Sequence, residues 1–450
     1  MTEWNFADLW EVCAEVRDSG LALAHGDREV SWRSFNSSAN GLAQVMLDAG
    51  VGQQDKVAQY LYNCPEYMLS VFACFKAGLV PVNTNYRYAD DELLYLWDNA
   101  DASVITFHAS FTETIERIRS RLPKVKLWLW VDDGSGLCPD WATDVAAAAA
   151  LGSDTNVSGP WGRSGKDRWF LYTGGTTGMP KGVMWEQDTL CRLGSRAHPL
   201  PLEPNPSIEE YRASIAARPA PIGLPAAPLM HGTGHVTTLN QLLGGGTIVT
   251  MPNRSLDAEA LLDTCERRQV SGLAIVGDAF ARPIADALEA NPGRWSFAPL
   301  FVMVSSGVMW SQPVKERLLA QIPQLIIMDA LGSSEALGMG SSTSSNAGVT
   351  STAKFDLGAN GVVVLDNGDL VQPGSGDIGR LGVAGLMPVG YYKDEVKTAA
   401  TFPTIAGRRY SLPGDFATVE ADGTITLLGR GSVCINTGGR RCFRRRSKRP

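Results

Sequence analysis

Tyr172-Thr-Gly-Gly-Thr-Thr-Gly-Met-Pro-Lys-Gly-Val183 is the most informative stretch of the 450-residue chain. Glycines at 174, 175 and 178, threonines at 173, 176 and 177 and the lysine at 181 make a loop whose backbone N–H groups can turn inward. Hydroxyls and an ammonium supplement them, and together these groups are suited to holding phosphate. A Walker loop is excluded by order: it needs Gly-Lys-Ser/Thr leading into a helix, whereas Pro180 precedes Lys181 and Val183-Met184-Trp185 reads as a strand. The anion must be held by a hairpin-like loop with no helix dipole behind it. The plain alternative is a surface turn, but turns seldom combine Thr-Thr with Pro-Lys-Gly.

Outward from this loop, short β-branched and aromatic runs alternate with helical periodicity. Phe6, Leu9, Trp10, Cys13 and Val16 share one helical face, and strands are predicted at 57–62, 103–107, 127–131, 169–173, 247–251, 273–276, 301–304 and 325–328. Alternation of this kind predicts an α/β fold with mainly parallel sheets. Several runs end in small polar residues, as at Ser305-Ser306-Gly307 and Asp329-Ala330-Leu331-Gly332-Ser333-Ser334-Glu335, and ligands collect at such strand ends. Beyond about residue 355 the texture turns to short antiparallel strands around Asp366-Asn367-Gly368 and Asp422-Gly423. The Ala146–Ala150 run reads as a helix end followed by a linker to Pro160, and 341–353 as a Ser/Thr-rich surface loop. The expected divisions are 1–190 and 191–353 for two α/β subdomains, 354–430 for a β-subdomain and 431–450 for a hinge remnant with a basic tail.

Charge narrows the function. The 40 Lys+Arg and 47 Asp+Glu give a formal −7, but Arg440, Arg441, Arg444, Arg445, Arg446, Lys448 and Arg449 lie in the tail with no acid, so residues 1–439 carry −14. An acidic body is a poor nucleic-acid binder, because that affinity rests on neutralising phosphates. No apolar run approaches the roughly 20 residues that span a bilayer. Glu3, Asp8, Glu11 and Glu15 occupy the place where a signal peptide would be basic and then apolar. The eight cysteines form no CxxC pair and read as reduced packing thiols, so a cytoplasmic location is expected.

YTGGTTGMPKGV resembles the phosphate loop of the adenylate-forming superfamily of acyl-CoA synthetases, luciferases and peptide-synthetase adenylation domains. NTNYRY at 83–88, LGSSEALGMGSS from 331 and GLMPVGYYKD from 385 are similar to actinobacterial long-chain and steroid side-chain acyl-CoA ligases. The resemblance implies the large N-terminal domain of such enzymes. It also implies that ATP and Mg²⁺ convert a fatty or steroid side-chain acid to acyl-adenylate and pyrophosphate, after which coenzyme A takes the acyl group. It makes Thr173, Gly174, Gly175, Thr176, Thr177, Gly178 and Lys181 the phosphate loop, with Gly174 standing where serine is more usual. Ser306-Gly307-Val308 becomes the turn beside adenine. Asp329 to Glu335 becomes the nucleotide motif: Leu331 replaces an adenine-stacking aromatic residue, Ser334 meets the α-phosphate and Glu335 holds Mg²⁺. Asp415 takes the ribose hydroxyls, and Arg430 sits at the hinge. Thr173, Lys181, Ser334 and Glu335 are thus the implied catalytic set. His231 becomes a gate between acyl pocket and ATP, with Gly277 and Phe280 lining that pocket.

Plainer readings stand beside these. Glu335 could be a helix N-terminal glutamate in a capping arrangement, His231 a hydrogen-bonded core residue and Phe280 simply core. Gly374-Ser-Gly-Asp-Ile-Gly379 fits GxGxxG but lies in turn-rich sequence with no helix following, so no dinucleotide site is expected.

Members of the resembled family continue past the hinge into a small domain bearing a catalytic lysine and a wall of the coenzyme A site. Here RRCFRRRSKRP at 440–450 matches nothing in that family. Codons can be chosen so that a one-base shift turns this tail into Glu-Lys-Val-Leu-Pro-Glu-Glu-Val-Glu-Glu-Ala, close to the family's continuation. The expectation is a frameshifted start of a missing domain and impaired full turnover, with a functional basic segment as the rival. The alternative functions are a non-catalytic acyl- or nucleotide-binding protein and an adenylating enzyme that serves a carrier protein. Peripheral membrane contact and oligomeric state stay open.

Overall fold

A computed structural model describes residues 3–174, 179–308, 310–430, 434–437 and 440–443. The chain divides into two compact units. The first is Met1–Ile275, Asp286–Met303 and Tyr391–Lys393; the second is Val276–Ala285, Val304–Gly390 and Asp394–Pro450.

In the first unit one sheet runs in the order Lys181–Glu186, Arg168–Thr173, Val80–Asn83, Lys56–Tyr60, Ala102–His108, Leu127–Val131, Thr143–Asp144. From Arg168–Thr173 onward its pairings are parallel. Lys181–Glu186 joins it as the antiparallel hairpin partner of Arg168–Thr173. Parallel strands are covered on both faces, which is why Ala102–His108 is buried at every position. A second set runs Gly272–Ile275, Ile222–Pro225, Thr247–Thr250, Leu21–His25 in parallel, then turns antiparallel to Arg28–Ser31. The eight β-rich runs of the sequence are strands. Most shift by one or two residues, and the last continues to Ser333.

The helices follow from local chemistry. Asn5 caps Phe6–Arg17 by accepting the Ala7 N–H, with Asp8 in the first turn and Arg17 in the last, both favourable to the helix dipole. Phe6 and Trp10 from that helix pack on Phe75 and Phe72 at centroid distances of 5.2 Å each. Pro65 opens the helix Pro65–Ala77, and Gly78 closes it in the left-handed region at φ 68°.

The second unit is antiparallel, as its turn-rich sequence predicts. Its strands pair in the order Gly361–Val364, Gly379–Ala384, Arg408–Val419, Ile425–Arg430, Lys354–Leu357, Ala336–Ser344, Ile326–Ser333. Its core gathers Met339, Phe355, Leu381, Val383, Val419 and Ile425. Further along, Cys434–Thr437 pairs antiparallel with Arg440–Phe443. Residues 431–433 and 444–450, which include most of the expected basic tail, lie outside the described residues.

Two local expectations are corrected. Ser341 to Ser344 belong to a strand, with Ser342 and Ser344 almost fully buried, because small hydroxyl residues can alternate inward where bulk would not fit. Val145–Ala150 is a short helix in its own right, capped by Asp144 accepting the Ala146 N–H, and does not end a longer one.

Candidate functional site

The phosphate-loop sequence is the connection of a β-hairpin. Its ladder pairs Trp169 with Trp185, Leu171 with Val183 and Tyr172 with Gly182, and ends with Thr173 opposite Lys181. The two chemically strongest groups of the loop are therefore its closing rung, fixed by strand geometry. Gly175, Thr176, Thr177 and Gly178 lie outside the described residues. At Gly174 a Cβ would meet, among the described residues, the Tyr88 hydroxyl at 3.6 Å, an ordinary contact distance. Gly182 is different: a Cβ would come within 2.6 Å of the Tyr172 ring, which lies against it.

The hairpin is held from several sides. Tyr392 donates its N–H to the Gly182 carbonyl at 2.8 Å and its hydroxyl to Asp101 Oδ2 at 2.8 Å, and its ring packs on Phe170 at 5.0 Å. Burial pulls the Asp101 carboxyl up, but hydrogen bonds from Lys124, Lys393 and Tyr392 outweigh it and hold the group well below the usual carboxylate range. Tyr172 donates its hydroxyl to Asn99 Oδ1 at 2.7 Å. On the strand's other edge, Asn83 Oδ1 accepts the Tyr172 N–H at 2.6 Å and Asn83 Nδ2 donates to the Tyr172 carbonyl at 2.9 Å.

His231 is the N-cap residue of the helix Gly232–Leu243. It is solvent-exposed, so the core reading fails. Although the residue as a whole reaches solvent, desolvation on the protein side of the ring, then the positive charge of Arg87, lowers its pKa from the usual imidazole value.

In the second unit, Ser334 and Glu335 form the tight turn between Ile326–Ser333 and Ala336–Ser344, where Ser333 pairs with Ala336. No helix begins there, so a capping role for Glu335 is excluded. The turn is pinned: Ser411 donates its hydroxyl to the Glu335 carbonyl at 2.6 Å, and the Glu335 N–H reaches Ser333 Oγ at 3.3 Å. Leu331, upstream, packs against the core of this unit. Asp329 is engaged by the buried Lys315 at 3.3 Å; burial raises its pKa, Lys315 offsets part of that rise, and Asp278 adds to it. Asp415 and Arg430 are partners across Arg408–Val419 and Ile425–Arg430, with Nε to Oδ1 at 3.5 Å. Burial raises the Asp415 pKa, Arg430 counters it, and the negative field of Glu335 adds to the rise. Ser306 is half-buried at the end of Val302–Ser306, while Gly307 and Val308 are exposed. Gly277 opens the helix Gly277–Ala290 at φ 51°, its N–H bonded to Ser305 Oγ at 2.8 Å; three residues on, Phe280 is half-buried.

Residues 10–392 match the family model described as AMP-binding enzyme. The chain is 37% identical over 447 residues to the medium/long-chain-fatty-acid–CoA/3-oxocholest-4-en-26-oate–CoA ligase of Mycobacterium marinum, covering 98% of this chain and 80% of that protein. The chain belongs to the AMP-binding enzyme family. It is also 36% identical over 448 residues to the 3-oxocholest-4-en-26-oate–CoA ligase of Rhodococcus rhodochrous, again covering 98% of this chain and 80% of the relative. By these relationships this AMP-binding enzyme is a ligase of the AMP-forming acyl-CoA synthetase class. Its fold is shared with the crystal structure of the anthranilate CoA ligase AuaEII in complex with anthranoyl-AMP, at a TM-score of 0.81, 20% identity, and coverage of 98% of this chain and 80% of that one.

Within this AMP-binding enzyme, sequence reasoning passed over the residues that hold the loops: Asn83, Tyr392, Ser411 and Lys315. Asn83 opens NTNYRY and Tyr392 lies within GLMPVGYYKD, two stretches noticed for their resemblance and not for their bonding. A signal was present for Asn83, since Val80-Pro81-Val82-Asn83 is an apolar strand ending in an amide, the same pattern that marked the other strand ends.

Proposed function

We propose that the protein activates a medium- or long-chain fatty acid or a steroid side-chain acid with ATP and Mg²⁺, forms the acyl-adenylate, and passes the acyl group to coenzyme A in the cytoplasm. The reading rests on one observation above the others: Thr173 and Lys181 are opposite one another on the closing rung of the hairpin. The substrate class follows the names of the mycobacterial and rhodococcal relatives. The compartment accords with Cys13, Cys64, Cys74, Cys191 and Cys265 being free and buried. No helix among the described residues is long and apolar enough to cross a membrane.

Attack of a carboxylate on the α-phosphorus builds negative charge on its oxygens and on departing pyrophosphate. Lys181 and Thr173 offer an ammonium and a hydroxyl from strand ends already fixed in place, so little reorganisation is needed as charge develops. In this reading, which rests here on sequence alone, the N–H groups of Gly174, Gly175, Thr176, Thr177 and Gly178 serve the phosphates. Ser334 addresses the α-phosphate from its pinned turn, with Gly332 and Ser333 before it. Asp415 presents its carboxylate to the ribose hydroxyls, and Arg430 favours its ionised form against the effect of burial. The adenine lies along Ser306, Gly307, Val308, Ala330 and Leu331, an aliphatic surface in place of a stacking ring, with Asp329 anchoring the strand through Lys315. His231, neutral at pH 7, can turn between acyl chain and nucleotide without charge repulsion, and Gly277 and Phe280 contribute to the acyl pocket.

Glu335 fits Mg²⁺: it is a hard oxygen donor on a fixed turn, and its negative field, which raises the pKa of Asp415, is one that a divalent cation would offset. When bound, the ion supplies charge neutralisation to the phosphate oxygens.

The test is AMP release by the purified protein with ATP, MgCl₂, coenzyme A and a panel of fatty acids and 3-oxocholest-4-en-26-oate. Acid-dependent formation of AMP or acyl-adenylate is expected, with acyl-CoA formation the slower step. Absence of acid-dependent AMP or adenylate with every member of the panel would overturn the reading.

A further inference from the structure

Where the strands Val80–Asn83 and Arg168–Thr173 part, the backbone ladder between them is replaced by a side chain. The parallel pairing is in register at Val82 and Phe170, while Asn83 keeps its backbone partner Gln59 on the other side. Two residues beyond Phe170, the Asn83 amide binds both the N–H and the carbonyl of Tyr172, as a neighbouring peptide would. An unpaired buried peptide group costs about 1–3 kcal/mol, so the amide lets the strand leave the sheet without orphaning Tyr172. The second hydrogen of Asn83 Nδ2 goes elsewhere, to the carbonyl of Met230 at 2.7 Å. Met230 is held again by the Tyr86 N–H on its sulfur at 3.4 Å. The residue after Tyr172 is Thr173, on the closing rung of the phosphate hairpin; the residue after Met230 is His231.

We propose that Asn83 is a positioning residue that sets the start of the phosphate loop and the backbone of His231 in one frame, so that nucleotide and acid are met by elements sharing a single anchor. This builds on the acyl-activating function proposed above. No other residue of similar size supplies the pattern. One acceptor and two divergent donors are needed; aspartate lacks the donors, and serine has one. Asn83 is 4% exposed, so water cannot take over these bonds.

The experiment compares Asn83→Ala and Asn83→Ser with Asn40→Ala in the full chain. Asn40 is an equally buried bridging amide, donating to the Ser153 carbonyl at 2.8 Å and accepting the Val157 N–H at 3.2 Å, remote from the functional residues in sequence and in role. Hydrogen exchange needs no ligand. The His231 N–H is bonded to the Pro228 carbonyl rather than to Asn83, so its exchange reports transmission through the bracket. It is expected to quicken at least tenfold in Asn83→Ala, less in Asn83→Ser, and not in Asn40→Ala. Calorimetric titration with Mg·ATP and with a non-hydrolysable acyl-adenylate analogue is expected to show affinity falling about tenfold for both Asn83 variants and unchanged for Asn40→Ala, at similar losses of Tm. Unchanged His231 exchange, or full affinity in the Asn83 variants, would overturn the proposal. If the wild-type chain itself bound neither nucleotide nor analogue, the function proposed above would fall, and hydrogen exchange alone would decide for or against the bracket.

Discussion

Two antiparallel hairpins carry the residues of strongest chemistry, and they are built in opposite ways. The Arg168–Thr173/Lys181–Glu186 hairpin opens into a glycine- and threonine-rich connection over 174–180, and its fixed points lie in the strands: Asn83 and Asn99 on Tyr172, Tyr392 on Gly182. The Ile326–Ser333/Ala336–Ser344 hairpin closes on Ser334 and Glu335 alone, and its fixed point is the turn itself, through the Ser411 hydroxyl. In the first hairpin the strand ends are what is held in place, and in the second it is the turn that carries the carboxylate.

That contrast can be broken in graded steps. Removing the ammonium from the open hairpin, Lys181→Ala, should have the largest effect, because hydrogen bonds to charged groups contribute about 1.5–3 kcal/mol. Mg·ATP affinity is expected to fall tenfold to a hundredfold by calorimetry. Gly182→Ala attacks the base of the same hairpin by forcing a methyl against the Tyr172 ring, and overpacking of that kind costs about 1–3 kcal/mol. A Tm loss with faster hydrogen exchange across 170–184 is expected; a wild-type Tm would show that the base tolerates rearrangement.

At Asp415, proposed to take the ribose hydroxyls, the pH response should separate function from stability. The Asp415 pKa is raised in the fold, so the folded protein holds this proton more tightly than the unfolded chain, and the ionised carboxylate costs stability as pH rises through that window. Asp415→Asn should therefore leave Tm at neutral pH equal or higher while weakening nucleotide binding. In the wild type, affinity should begin to fall, on acidification, above the ordinary carboxylate range, and the variant should lose that limb. Ser411→Ala, which frees the pinned turn, is the smallest step. One neutral hydrogen bond is worth about 0.5–1.5 kcal/mol, so a modest Tm loss and a raised Mg²⁺ requirement are expected. A Mg²⁺ titration indistinguishable from wild type would mean that the turn is rigid without its pin.

Much of this was legible in the chain. The strand at Leu127–Val131 was readable to the residue because an apolar β-branched and aromatic run reports its own burial. Val183-Met184-Trp185 after Pro180-Lys181 was enough to replace a strand–helix phosphate loop with a hairpin, and the structure agrees. Glu335 was less legible. Ser-Ser-Glu also opens helices, and the adjoining Ala336-Leu337-Gly338-Met339 carries no clear period of either kind. The strand there exists because Ala336–Ser344 finds partners on both sides, in Ile326–Ser333 and Lys354–Leu357.

By itself, then, the sequence determined the α/β class and the strand–loop–strand character of 169–185, because composition and periodicity act over a few residues, while the roles of Asp415 and Arg430 came from resemblance alone. The tertiary structure decided that Thr173 faces Lys181, that Asp415 faces Arg430, and that Asn83 bridges Tyr172 and Met230 across 89 and 147 residues of chain. Those relations depend on register and on where a strand leaves its sheet. Both are set by the summed packing of distant elements, which no local window contains.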